Sequence, residues 1–239
     1  MYDHTLPVHT SPRPSQSVAV KEHTAHQDNI YGAFAFNYAP RQLNRYYQQW
    51  AHTYDIDVYT EHYTGPAYLA AYLANFTTEE ELSIDVCDPY LEIIDAGCGT
   101  GLVGMALTDH GYRQIDGFDL SEAMVTEAQK LGIYRKLIAG CNMLQPIPHY
   151  QKNQYEICVC CGVFTKGHVP PTALTELVRI TQPGGLVVVS TRKSYYETTP
   201  FKPTYEAMVR AGLIKLIDAV MDGPYLAEEG AHYWIFKVL

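Results

Sequence analysis

Basic residues are scarce in this 239-residue chain. Seventeen Lys and Arg against 26 Asp and Glu leave a formal net charge of −9, and the pI is about 5.5. No Lys/Arg run offsets this locally, so the sequence offers no field to attract nucleic acid or an anionic membrane. No apolar run is long enough to span a bilayer. The start, MYDHTLPVHTSPRPSQ, lacks the apolar segment of a secretory signal. Cysteine is sparse as well: six are too few for a secreted disulfide scaffold of this length. Three of them, Cys158, Cys160 and Cys161, crowd one apolar segment where neighbouring side chains alternate between faces. Cys-x-Cys-Cys also lacks a second ligand pair at zinc spacing, and His4, His9, His23 and His26 match no ligand pattern. The expectation is no metal site, reduced thiols, and a cytoplasmic location with the nucleus as the alternative. No internal repeat is visible.

What is present suits one α/β domain with an appendage. Hydrophobic residues make up 47% of the chain, enough for a sizeable core. Residues 1–29 are rich in Pro, Ser, Thr and His and read as a disordered tail. Residues 30–88 read as an N-terminal helical cap. Within them Leu43, Tyr46, Tyr47, Trp50 and Tyr54 recur at three- and four-residue steps, and after a break at Thr64–Pro66 so do Leu69, Tyr72, Leu73 and Phe76. From residue 89 to 239 strands and helices alternate. LEIIDAG, QIDGFDLS, KLIAGCN, YEICVCCGVF and LVVVST read as strands. TGLVGMALTDHG, EAMVTEAQKLG and TALTELVRITQ read as helices between them. Short apolar strands separated by helices predict a parallel sheet covered on both faces. The last two strand-like runs, GLIKLIDAV and AHYWIFKVL, have no helix between them and predict an antiparallel hairpin.

The segment IIDAGCGTGLVG joins the first strand to the first helix of this unit, and it can be read in two registers. Gly99-Thr-Gly-Leu-Val-Gly104 fits the dinucleotide fingerprint G-x-G-x-x-G, which would make the chain a nicotinamide-dependent oxidoreductase. Asp95-Ala-Gly97-Cys98-Gly99-Thr-Gly101 is a glycine loop with an acid in front. Either way a strand feeding a helix through glycines gathers backbone N–H groups at the positive end of a helix dipole. Asp119 ends the second strand, where a carboxylate can accept from both hydroxyls of an adenosine ribose. Asp95 separates the registers: a carboxylate there would repel a pyrophosphate but suits a ligand carrying an ammonium group. The final hairpin and the roughly ninety residues ahead of the first strand are likewise foreign to a plain dinucleotide domain. Gly104 then serves as a small residue that lets the helix pack on the sheet.

These residues resemble the class I S-adenosylmethionine-dependent methyltransferases. Asp95 to Gly101 resembles their first motif and Asp119-Leu120 the acid-plus-hydrophobe pair after the second strand. RITQPGGLVVVST resembles the segment that leads into their fifth strand. YYQQWAHTYDIDV, GLVGMAL, LGIYRKL and GHVPPTALTELVRITQPGGLVVVSTR together are similar to the methyltransferase-like family encoded in the Williams–Beuren syndrome region. The resemblance implies a Rossmann-like, seven-stranded, mostly parallel sheet with an antiparallel last strand, and S-adenosylmethionine as cofactor. It implies that the Gly97, Cys98, Gly99 and Gly101 backbone faces the methionine part and that Asp95 reaches the amino group through water. Asp119 would take the ribose hydroxyls, Leu120 would pack on the adenine, and Asn142, beside Met143, would accept from the adenine amino group. Tyr46, Trp50 and Tyr54 resemble residues that cover the methionine end, and they also suit plain helix packing.

In such chemistry a general base matters only for a nucleophile that arrives protonated. The loop after the fourth strand, CGVFTKGHVPP, offers Thr165, Lys166 and His168, with His168 the candidate base. The Asn/Asp-Pro-Pro-Tyr/Phe motif of many amide and exocyclic-amine methylases is missing from this loop, and so is a paired-glutamate arrangement for arginine. With the net acidity, these absences favour a small-molecule acceptor, with a protein side chain second and nucleic acid excluded. A binding module that keeps the pocket without catalysis is the remaining alternative.

Overall fold

The computed structural model describes residues 25–76 and 84–239. Its strands are β1 (Glu92–Ala96), β2 (Gln114–Phe118), β3 (Lys136–Ile138), β4 (Tyr155–Phe164), β5 (Thr181–Arg192), β6 (Ile214–Gly223) and β7 (Ala231–Val238). They form one sheet in the order β3-β2-β1-β4-β5-β7-β6. Strands β1 to β5 pair in parallel, and β7 lies antiparallel between β5 and β6. This is the expected Rossmann-like sheet with its terminal hairpin. The chain reverses its direction of winding between β1 and β4, the point in such a sheet where ligands bind beyond the carboxyl ends of the strands.

The helices are α1 (Ala25–Gly32), α2 (Pro40–Trp50), α3 (Tyr54–Thr60), α4 (Gly65–Ala74), α5 (Leu102–Asp109), α6 (Glu122–Lys130), α7 (Leu174–Ile180), α8 (Lys193–Thr198) and α9 (Phe201–Arg210). Two apolar layers cover the sheet. Ile94, Phe118, Cys158, Cys160, Val187 and Trp234 point into one, with residues of α7 and α9. Ile93, Ile115, Val159, Cys161, Val188 and Tyr233 point into the other, with residues of α4 and α5. Alternation along β4 thus sends Cys160 and Cys161 to opposite faces, and all six cysteines are free thiols.

Four features depart from the sequence pattern. The tail expected over residues 1–29 gives way to helix α1 at Ala25. This helix is held by polar contacts that leave no apolar periodicity: Gln27 Nε2 donates to Glu61 Oε2 (3.0 Å) and Asn29 Nδ2 to Asp57 Oδ2 (2.7 Å). Residues 1–24, with His4, His9 and His23, lie outside the described residues. The single stripe from Leu43 to Tyr54 is divided into α2 and α3. Trp50 Nε1 donates to Asp57 Oδ2 at 2.6 Å, whereas seven residues of unbroken helix would set the two backbones about 10 Å apart. The Pro-Gly-Gly turn lies inside β5, where the pairing shifts between Tyr155–Thr181 and Ile157–Leu186. Helices α8 and α9 have no counterpart in the sequence expectations. Pro203 in the first turn of α9 is tolerated there, and Phe201, Tyr205 and Met208 bury its inner face. Among the described residues no helix is long and apolar enough to cross a membrane, and no cluster of His, Cys, Asp and Glu is placed to hold a metal.

Candidate functional site

The glycine loop is built by backbone conformation. Gly97, Gly99 and Gly101 all have positive φ (76°, 54° and 99°), a region that disfavours side chains. The N–H groups of Gly97 and Cys98 both donate to the Phe118 carbonyl, which pins the loop to the end of β2. The Asp119 N–H donates to Ile138 and its carbonyl accepts from Cys141, so the ends of β1, β2 and β3 are tied into one rim.

Asp119 stands at the centre of that rim. Its Oδ2 accepts from the Gly99 N–H (3.0 Å) and its Oδ1 from the Ser121 N–H (2.8 Å). Each carboxylate oxygen keeps a lone pair for a ligand. Burial raises its pKa, against the lowering pull of the Ser121, Gly99 and Leu120 N–H groups. Ser121 caps α6 by accepting from the Met124 N–H.

An empty space of about 780 Å³, its open mouth included, lies over this rim. Gly97, Gly99, Asp119, Leu120, Asn142 and Met143 line it, so six of the expected residues come together. A Cβ built on Gly99 would meet nothing within 4 Å, so the loop leaves a clear approach to its backbone. Asn142 Oδ1 accepts from the Leu144 N–H (3.0 Å), which fixes the amide and leaves one lone pair.

Asp95, Cys98 and Gly101 do not line the space. Gly101 turns into α5 beneath Leu131. The Cys98 side chain is buried, and burial pushes its thiol well above the usual range. Asp95 has no exposure at all. Its Oδ2 accepts from the Tyr134 hydroxyl (2.7 Å) and its Oδ1 has no hydrogen-bond partner among the described residues. Burial pushes its pKa up to about 7; the Tyr134 hydrogen bond opposes the shift and the Asp119 charge adds to it.

Tyr134, inside the LGIYRKL segment, is given no role by the sequence although it organises the loop from below. A Cβ at Gly104 would fall 2.3 Å from its hydroxyl, and one at Gly117 would fall 3.0 Å from its ring. Gly104 is therefore small for packing, as expected, but its partner is this ring. The only signal in the sequence is a pair of glycines with ordinary φ, which need space and not conformational freedom.

The N-terminal helices close the site. Thr100 Oγ1 donates to Asp55 Oδ1 (2.6 Å), joining the glycine loop to α3, and the Ala123 N–H donates to Gln48 Oε1 (3.2 Å), joining α6 to α2. Of the expected covering aromatics Tyr54 lines the space, while Tyr46 and Trp50 do not; Tyr47 does. Tyr46 instead donates to the Asn29 carbonyl (2.6 Å).

His168 also lines the space and is buried. Its Nδ1 lies 3.0 Å from the Lys166 carbonyl, which can only accept, so the proton is on Nδ1. Nε2 then accepts from the Tyr47 hydroxyl at 2.6 Å. Burial lowers the imidazole pKa to about 4, the Arg192 charge adding to the effect and the Lys166 carbonyl opposing it. Burial likewise raises the Tyr47 hydroxyl, and it pushes the Cys161 thiol at the same wall up to about 11. The wall is uncharged at neutral pH and presents no thiolate.

The sequence and the fold are both similar to those of known proteins. A methyltransferase-domain family model matches residues 94–189. Over 187 residues the chain is 31% identical to methyltransferase-like protein 27 of Homo sapiens, covering 75% of this chain and 68% of the human protein. It is 30% identical over 122 residues to malonyl-[acyl-carrier protein] O-methyltransferase of Serratia marcescens, 51% of this chain and 46% of that one. Among solved structures, magnesium protoporphyrin IX methyltransferase from Synechocystis PCC 6803, with S-adenosylhomocysteine bound, superposes with a TM-score of 0.58 at 16% identity. That match covers 83% of this chain and 99% of that one.

Proposed function

The chain belongs to the class I S-adenosylmethionine-dependent methyltransferases, and from that premise we propose that it methylates a small molecule through a cofactor site centred on Asp119. The observation that carries the assignment is the Asp119 carboxylate, held by two backbone N–H groups, facing the cavity with a lone pair free on each oxygen. Two vicinal ribose hydroxyls fit that donor demand. The residues around it fit the rest of the cofactor. Gly99 gives backbone access for the methionine part with Gly97 lining the space beside it, Leu120 and Met143 give an apolar wall for the adenine, and Asn142 Oδ1 has one acceptor position for its amino group. Residues 89–239 act as the cofactor-binding domain and residues 30–88 as its cap.

S-adenosylmethionine supplies a methyl group already activated by a sulfonium. The chain's own work is to align and to exclude water, which in favourable cases lowers a barrier by about 7–11 kcal/mol. Tyr47 and Tyr54 cover the cavity, and the Thr100–Asp55 and Ala123–Gln48 bonds hold that cover on the rim. The net charge of −9 disfavours nucleic acid as acceptor.

Calorimetric titration with S-adenosylhomocysteine tests the cofactor site. The intact protein should bind and Asp119→Ala should bind at least about 100-fold more weakly. That change removes two charge-assisted bonds to ligand, about 1.5–3 kcal/mol each, and frees the Gly99 N–H. Undiminished binding by Asp119→Ala would place the cofactor elsewhere.

A further inference from the structure

A second empty space of about 380 Å³, its open mouth included, adjoins the first through Tyr47, Tyr54, Gly162 and His168, which line both. Its walls are aromatic, with Phe34, Trp50, Tyr63 and Tyr225 among them. Two polar groups stand out against those walls. Thr165 is 4% exposed, and its Oγ1 is buried without a hydrogen-bond partner among the described residues. A hydroxyl in that condition is costly unless something else completes it. Arg192, 3% exposed, reaches the cavity from the end of β5. Its Nε donates to Glu229 Oε2 (2.8 Å) and its Nη2 lies 2.5 Å from the same oxygen, so one edge of the guanidinium is used and Nη1 lies on the other. Phe34 stacks on the guanidinium at 4.7 Å.

We propose that this cavity holds the methyl acceptor, and that the acceptor is a carboxylate on a flat apolar body, its oxygens taken by Arg192 and Thr165. The proposal rests on the methyltransferase reading. Arg192 is already paired with Glu229, so the site has no net positive charge to offer, and a carboxylate gains over an uncharged acceptor through charge-assisted bonds from directed donors. The cavity offers donors and no poised base. Burial makes the His168 imidazole a weak base, and the lone pair on its Nε2 already accepts from Tyr47. A phenol, alcohol or ammonium would have to lose a proton and finds no group to take it. A carboxylate arrives ionised. One of its oxygens supplies the electron pair of the new C–O bond as the C–S bond breaks and the sulfur keeps that pair. The carboxylate and sulfonium charges vanish together and no proton moves. The products are a methyl ester and S-adenosylhomocysteine.

The test uses the full chain saturated with S-adenosylhomocysteine and titrated calorimetrically with phenylacetate, trans-cinnamate and indole-3-acetate, beside phenylacetamide and cinnamyl alcohol as uncharged analogues. The acids should bind at least tenfold tighter than the uncharged forms. Thr165→Val should weaken the acids about tenfold and leave S-adenosylhomocysteine binding unchanged. The same variant should melt at a higher temperature without ligand, because it removes the orphan hydroxyl. Arg192→Lys should weaken the acids further, and Thr165→Val keeps the test sound if Arg192 variants fail to fold. With methyl-labelled cofactor the product should release volatile labelled methanol in alkali. The proposal is overturned if uncharged analogues bind as well as the acids, if Thr165→Val binds them like the intact protein, or if none of the acids binds. Failure of the intact protein to bind S-adenosylhomocysteine would instead remove the premise.

Discussion

Gly104 shows how much of this site depends on one missing side chain. Inside a helix alanine is normally better than glycine by about 1 kcal/mol. Here a Cβ would fall 2.3 Å from the Tyr134 hydroxyl, whose other contact is the buried Asp95. Overpacking of that kind costs about 1–3 kcal/mol, so Gly104→Ala should lower the urea midpoint instead of raising it. In a Tyr134→Leu background the ring is gone, and the same change should be neutral or stabilising. Additive effects in the two backgrounds would show that the contact is not the cause. At this scale the sequence was legible where chemistry is local. Asp119 and the positive-φ glycines sit at strand ends that any parallel sheet places together. Tyr134 was not legible, because the reason for a glycine at 104 lies thirty residues further along the chain. The same holds for the His168–Tyr47 contact, whose partners are 121 residues apart.

Among the elements, the parallel strands are readable because each holds a short apolar run set between helical stretches. Period alone makes helices α2 and α3 one stripe, because it does not register a tertiary hydrogen bond. Asp57 makes that division. Its Oδ2 accepts from Trp50 Nε1, Asn29 Nδ2 and Thr53 Oγ1, at 2.6, 2.7 and 3.2 Å, and so ties α1, α2 and α3 together. Asp57→Ala would leave those donors unsatisfied, at about 1–3 kcal/mol for each that stays buried. Hydrogen exchange should then quicken across residues 25–60, by tenfold or more, while the strands keep their protection. Uniform acceleration would mean that the cap and the sheet open as one unit.

For the molecule as a whole, two buried groups set opposing dependences on acidity. The His168 pKa falls from 6.5 to about 4, so between those values the unfolded chain binds the extra proton and acidification destabilises the fold. The Asp95 pKa rises from 3.8 to about 7, so the folded chain holds the extra proton and that stability is lost as pH rises through this window. At about 1.4 kcal/mol per unit, the two contributions are roughly 3 and 4 kcal/mol and nearly cancel between pH 4 and 6.5. Asp119, also raised, adds to the carboxylate side. Denaturation of the intact protein should therefore vary less with pH than that of either variant. His168→Gln should lose stability from pH 4 to 7, and Asp95→Asn should lose it from pH 6.5 to 4. Profiles that shift without changing shape would contradict both assignments.

The unsatisfied oxygen of Asp95 also makes ligand capture a proton exchange. Burial raises this carboxyl to about 7, and a ligand with ammonium and sulfonium charges at the loop above it favours the ionised form. Association should then expel a fraction of a proton, and by reciprocity the apparent affinity should climb with pH through 7. Titrations with S-adenosylmethionine in phosphate and in Tris should give different apparent enthalpies for the intact protein and matching ones for Asp95→Asn. Equal enthalpies for the intact protein would mean that Asp95 keeps its proton when the site fills.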